Sequence, residues 1–180
     1  MKNIIILVFF LILSISCSVR KISELGPSDN SNPLKPLVIV SEFSNHTEKE
    51  LDKNKLVVEK LNQTLQSDCI RNKFLAANLI QTNDLTNEQV YEKITTTPVS
   101  IRLEMYYTLA RVNGYTLPNT DKIWLNRRYH KNYGICSSMA NLGHEVSHKI
   151  GFGHDYKPTK RRPMSVPYTM GRILNECCTE

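Results

Sequence analysis

The sequence predicts a single α+β domain, a small sheet packed on a helix with a short C-terminal subdomain, and three observations carry that reading. Val99 to Leu109 alternates without a fault, with Val99, Ile101, Leu103, Met105, Tyr107 and Leu109 on one side and Ser100, Arg102, Glu104, Tyr106 and Thr108 on the other. That period of two belongs to a half-buried strand. Glu48 to Gln66 is helical instead, with Leu51, Val58, Leu61 and Leu65 on one side and lysines and glutamates elsewhere. Met139, Leu142, Val146 and Ile150 repeat at helical spacing again, forming an apolar face for the sheet. At 180 residues there is room for one sizeable core rather than two. Hydrophobic content of 41% and charged content of 22% are ordinary for a globular chain.

Taken in order, residues 1–16 read as a signal peptide. Lys2 gives a positive start, Ile4 to Ile12 is an apolar run too short to span a bilayer stably, and Ser14-Ile15-Ser16 is a small-x-small cleavage pattern. Cys17 follows directly, the position a bacterial lipoprotein acylates; simple secretion is the alternative. Both routes lead out of the cytoplasm. Residues 17–36 form a tether, rich in proline, serine and asparagine and unable to build a core. The domain occupies 37–180 and opens with a buried strand, Leu37 to Phe43. After the helix over Glu48 to Gln66, Ile70 to Ile80 continues as a second helix or a bent extension. Thr86-Asn87-Glu88-Gln89 is a capping box, with Leu85 and Val90 as its hydrophobic staple, so a helix runs from Asn87 to about Thr95. Pro98 stops it. After the alternating strand, Leu117-Pro118-Asn119-Thr120 is a turn and Lys122 to Arg128 a further strand. The two strands are expected to pair antiparallel, with Gly114 making the connection irregular. Ser137 or Ser138 then caps the last predicted helix.

Much of the net charge of +6 comes from two clusters, Lys122 to Lys131 and Lys157 to Arg162, read first as solvated loops and strand ends, with a preference for acidic substrates or an anionic surface as the alternative. No aromatic-basic motif or zinc-finger spacing is present, so no nucleic-acid partner is expected. Of five cysteines, acylation of Cys17 would leave Cys69, Cys136, Cys177 and Cys178. In an exported protein these can form two disulfides. A bond between the vicinal Cys177 and Cys178 is sterically poor, so the C-terminal pair is expected to reach Cys69 and Cys136.

The chemistry concentrates in Asn141 to Asp155, which contains H-E-x-x-H-x-x-G-x-x-H with His144, Glu145, His148, Gly151 and His154 at the specified places. Five such residues coincide by chance in about one window in ten million. Histidines four apart lie on one helix face and can grip one metal ion. Gly151 lets the helix end in a left-handed turn, so the chain doubles back and supplies His154 as a third ligand. Three neutral imidazoles suit one catalytic zinc ion and leave a fourth position open. Glu145 is placed as the general base that takes a proton from a metal-activated water attacking a peptide carbonyl. His46 and His130 have no spacing argument and read as ordinary residues; Trp124 reads as packing.

The segment His144 to His154 resembles the metzincin signature of zinc metalloproteases such as astacins, adamalysins and matrixins. With Ser165 to Gly171 (S-V-P-Y-x-x-G), N-G-Y-T at 113–116 and I-W-L-N-R at 123–127, the chain also resembles a group of small exported bacterial proteins with this motif. The resemblance implies a zincin-like fold, an endopeptidase acting on peptide or protein substrates, His144, His148 and His154 as zinc ligands, and Glu145 as base and acid. It implies that Asp155 helps hold the turn after the third ligand. It also implies a methionine turn under the metal, for which Met164 and Met170 compete and Met170 is preferred. Tyr168 could stabilise an oxyanion, as a tyrosine does in some metzincins, but is read first as a buried structural residue. The competing reading is a surface-anchored binding protein with a structural or degenerate zinc site, touching the membrane only through a lipid on Cys17. The presence of Glu145 counts against it.

Overall fold

The computed structural model describes residues 35–178; the predicted signal peptide, Cys17 and the tether up to residue 34 lie outside the described residues. Strand β1 (Val38–Ser44) is followed by helices α1 (Glu48–Leu65), α2 (Asp68–Leu75) and α3 (Asn87–Thr96), then β2 (Val99–Tyr106), β3 (Gly114–Thr116) and β4 (Lys122–Asn126). A short helix α4 (Arg127–His130) leads to α5 (Ile135–Lys149), and a single 3-10 turn, Arg162–Met164, leads to α6 (Val166–Cys177). The domain is α+β, as predicted: one four-stranded sheet with helices against one face. Among the described residues no helix is long and apolar enough to cross a membrane.

The sheet corrects the pairing expected from sequence. Its order is β1-β2-β4-β3; β2 runs parallel to both β1 and β4, and only β3 and β4 are antiparallel. The predicted turn at 117–120 does make a hairpin, with Asn119 at φ 61°, but it joins β4 to β3. Leaving β2, the chain passes to the sheet edge, runs back as three-residue β3, and returns as β4 between the two. So short a strand has no periodicity to read. The alternation of 99–109 also outlasts its strand, because Tyr107 and Leu109 are 61% and 71% exposed in the following loop. At the other end of β4, Asn126 accepts the Arg128 N–H at 3.1 Å and turns the predicted strand end at Arg127 and Arg128 into the start of α4.

The core lies between sheet and helices. Val38, Ile101, Leu103, Met105, Ile123 and Leu125 meet Val57, Leu61 and Leu65 of α1, Met139, Leu142 and Val146 of α5, and Met170, Ile173 and Leu174 of α6, all buried. Each such side chain contributes about 1.5–3 kcal/mol of transfer free energy. On α1 the buried set is Asn54, Val57, Leu61, Thr64 and Leu65, so the inward face is rotated from the predicted Leu51–Val58 line. Polar contacts explain part of this. Asn62 accepts the Leu37 and Val38 N–H groups at 2.9 and 2.8 Å and donates to the Val38 carbonyl at 2.9 Å, pinning α1 to β1. Asn54 donates to His46 at 2.9 Å.

Helix boundaries follow their caps. The Thr86–Gln89 capping box forms, and Thr47–Glu50 makes a second one at the start of α1. The predicted helix over 70–80 ends at Leu75; Asn87 donates to the Leu75 and Ala77 carbonyls at 3.3 and 2.6 Å, and Ile80 bridges to Ser165. Neither Ser137 nor Ser138 caps α5: Gly134 holds that place without a side-chain bond, and Ser138 is fully buried inside the helix. Two disulfides, Cys69–Cys177 and Cys136–Cys178, tie the chain end to α2 and to the first turn of α5. This is the pairing of the C-terminal cysteines with Cys69 and Cys136 expected from sequence.

Candidate metal centre

The apolar face of α5 is sealed against the core, which turns His144 and His148 towards a cleft on the other side. The helix ends as the motif requires. Gly151 has φ 101°, its N–H bonds to the His148 carbonyl at 3.1 Å, and Phe152 N–H bonds back to the Ser147 carbonyl at 3.1 Å. This pair of bonds is a Schellman motif. It reverses the chain and buries Phe152, whose carbonyl accepts from His148 Nδ1 at 2.8 Å. His154 follows on the returning strand of chain.

The three imidazoles converge. Ring centroids are 5.1 Å apart for His144 and His148, 5.3 Å for His144 and His154, and 4.8 Å for His148 and His154. One nitrogen from each falls within 4.8 Å of the other two, a spacing that can hold one metal ion. Their orientation fits that use. His148 Nδ1 donates to the Phe152 carbonyl and His154 Nδ1 to the Asp155 carbonyl, at 2.8 and 3.0 Å. A carbonyl only accepts, so both Nδ1 atoms carry the proton and both Nε2 atoms keep a free lone pair. Burial, then the neighbouring imidazoles, holds His144 down at about 3, and burial lowers His148 and His154 as well. All three are therefore neutral, the state a ligand needs.

Glu145 stands beside His144, 5% exposed, and burial pushes its carboxyl up to about 8 while Lys149 pulls it back. Lys149 itself is engaged: its ammonium donates to the Leu117 carbonyl at 3.1 Å, to the Thr120 carbonyl, and to Thr120 Oγ1 at 3.2 Å. It thereby ties the β3–β4 turn to α5. The cleft, about 1070 Å³, is walled by β3 and that turn on one side and by α5, the His154 segment and α6 on the other.

The supporting residues fall less as predicted. Asp155 accepts from Gln81 at 2.7 Å and from Thr159 at 3.1 Å. Met170 lies in the middle of α6, fully buried, so the methionine turn expected there is a helix. Its Cε would lie 3.5 Å from a Cβ on Gly143, a floor under α5 rather than a loop below the histidines. Met164 closes the 3-10 turn. Tyr168 is not the buried structural residue of the first reading. Its partly buried ring packs 4.7 Å from His144 and 5.0 Å from His154 and lines the cleft. Trp124 stacks on Tyr115 at 4.8 Å, a packing role as read.

Two residues take roles that the sequence did not assign to them individually. Gly171 lets α6 approach α5, because a Cβ there would stand 3.0 Å from the Ala140 carbonyl. Arg162, inside a basic run, lies over the Tyr168 ring at 4.9 Å. His130, read as ordinary, is 1% exposed with neither ring nitrogen partnered by a protein group.

No protein-family model matches the chain, and a search of curated proteins finds no significantly similar sequence.

Proposed function

We propose that this chain is an exported zinc-dependent endopeptidase of the metzincin type, with a zincin-like fold. The observation that carries the reading is the convergence of three neutral imidazoles beside a buried glutamate in an open cleft. Structural metal sites close their shell with four protein ligands. Among the described residues these three histidines are the only such group, with no cysteine or carboxylate joining them.

His144, His148 and His154 would hold the zinc, which when bound supplies Lewis acidity towards water and a carbonyl oxygen. The residues of the chain do the rest. β3 and the Leu117–Thr120 turn face α5 across the cleft, so an extended peptide lies between them with its scissile bond at the triad. Glu145 reaches its ionised form more easily when the triad carries positive charge. It then takes the proton of the attacking water and hands it to the leaving amine. Tyr168, against two of the histidines, directs its hydroxyl to the developing oxyanion. Two disulfides fit an oxidising compartment and an exported chain. A lipid on Cys17 would hold it at a membrane.

Chelation tests the proposal. Treatment with a strong chelator is expected to abolish cleavage of a mixed peptide library, and stoichiometric zinc to restore it. Cleavage that survives metal removal contradicts it.

A further inference from the structure

We propose that Arg162 receives a carboxylate of the substrate, so that the site prefers peptide bonds close to an acidic side chain or a free C-terminus. This rests on the hydrolase reading above.

Arg162 begins the 3-10 turn into α6, lines the cleft, and lies over the ring that packs on His144 and His154. It lacks a counter-charge, as does Arg111 at the same cleft, and what sets it apart is a guanidinium Nε buried without a partner. Lys73, Arg102, Lys122, Arg127 and Arg172 each pair with a carboxylate, and Lys149 is occupied by three oxygens. Among the described residues Arg162 has no ion pair. Of its five side-chain N–H donors, Nη1 alone reaches an acceptor, the Tyr156 carbonyl at 3.4 Å, and Nε is buried without a partner. A partly buried, uncompensated guanidinium is unfavourable until an anion arrives.

The surroundings suit an anion. The charged groups lining the cleft are Arg111, Lys149, Arg162, Arg172 and a single acid, Glu145. Positive charge bound at the triad would repel Arg162, so an anion lying between the two is favoured by both. The planar guanidinium matches a carboxylate's two oxygens, and it is held over the Tyr168 ring at 4.9 Å. From the spacings of ring and imidazoles, Arg162 is within reach of a group up to about three residues from a peptide bond held at the triad.

The test uses the full chain, zinc-loaded and carrying Glu145→Gln so that peptides survive, titrated calorimetrically with three acetylated tetrapeptides. These are Ala-Ala-Glu-Ala amide, Ala-Ala-Gln-Ala with a free C-terminus, and Ala-Ala-Gln-Ala amide. At least one carboxylate peptide is expected to bind about tenfold tighter than the neutral one, and the tighter of the two names the source. Adding Arg162→Gln removes the preference at unchanged zinc stoichiometry. Arg162→Lys, which keeps the charge and loses the planar fork, retains part of it and guards against a folding defect. Equal affinity for all three peptides, absence of binding included, overturns the proposal. So does a preference that survives Arg162→Gln, which would put the carboxylate on the metal alone. Failure of the hydrolase reading looks different: the chain with Glu145 intact cleaves no library peptide, while the Arg162-dependent preference stands.

Discussion

Tyr168 touches two of the three imidazoles and still presents an edge to the cleft, so its ring and its hydroxyl can be separated by experiment. Tyr168→Phe keeps the packing and removes one donor. The account expects kcat to fall by about tenfold to a hundredfold, with zinc content unchanged; full activity in the variant would reduce the tyrosine to a packing residue. His130 carries a different residue-scale prediction. Burial first, and then Lys53, holds it down at about 4, from an ordinary 6.5. As pH falls below 6.5 the unfolded chain takes up a proton that the folded chain refuses, so stability drops through this window and levels off below about 4. The loss attributable to His130 between pH 7 and pH 5 is about 2 kcal/mol. Urea midpoints of wild type and His130→Leu at the two values measure it: the variant should be the less pH-sensitive, and parallel losses would refute the assignment.

At the scale of elements, α5 and α6 form the unit that builds the centre. Helix α5 contributes His144, Glu145 and His148, and α6 brings Tyr168 up from below because Gly171 admits the Ala140 carbonyl. Gly171→Ala would press a methyl onto the Ala140 carbonyl at 3.0 Å, so that α5 and α6 must shift slightly to admit it. It should destabilise the fold by about 1–3 kcal/mol and weaken zinc binding through the shifted His144, whose Cβ lies 3.7 Å from the new methyl position. Thermal melting with and without zinc reads both effects, and an unchanged melting temperature would contradict the close packing. The division between α5 and α6 also explains what could be read from the residues alone. Helix spacing and the Gly151 turn are local, so the three histidines and Glu145 stand together in the linear pattern. Tyr168, Gly171 and Arg162 reach the site through packing of α6 and the turn before it against α5; Tyr168 and Gly171 stood in the Ser165–Gly171 segment, but its spacing did not give their contacts, and Arg162 stood only in a basic cluster. The same limit misplaced Met170, where a turn was expected by analogy and a fully buried helix position was found.

Across the whole molecule, the α+β class, the Thr86–Gln89 capping box, the alternating β2 and the bonding of the C-terminal cysteines to Cys69 and Cys136 followed from periodicity, capping chemistry and the vicinal cysteines, while the cap of α5 did not. The sheet order did not. Placing β4 beside β2 depends on a three-residue edge strand, and no period exists in three residues. The fold that results puts this edge strand and its turn opposite α5, with Lys149 fastening the two sides. It also braces the start of α5 and the end of α6 through Cys136–Cys178 and Cys69–Cys177. Zinc-dependent hydrolysis with Glu145 as the proton carrier is the claim all of this serves. Its most direct test is Glu145→Ala against wild type, measuring bound zinc per chain and cleavage of a mixed peptide library. The variant is expected to bind equal zinc and to lose cleavage by at least about a thousandfold. Equal cleavage by the two proteins would contradict it.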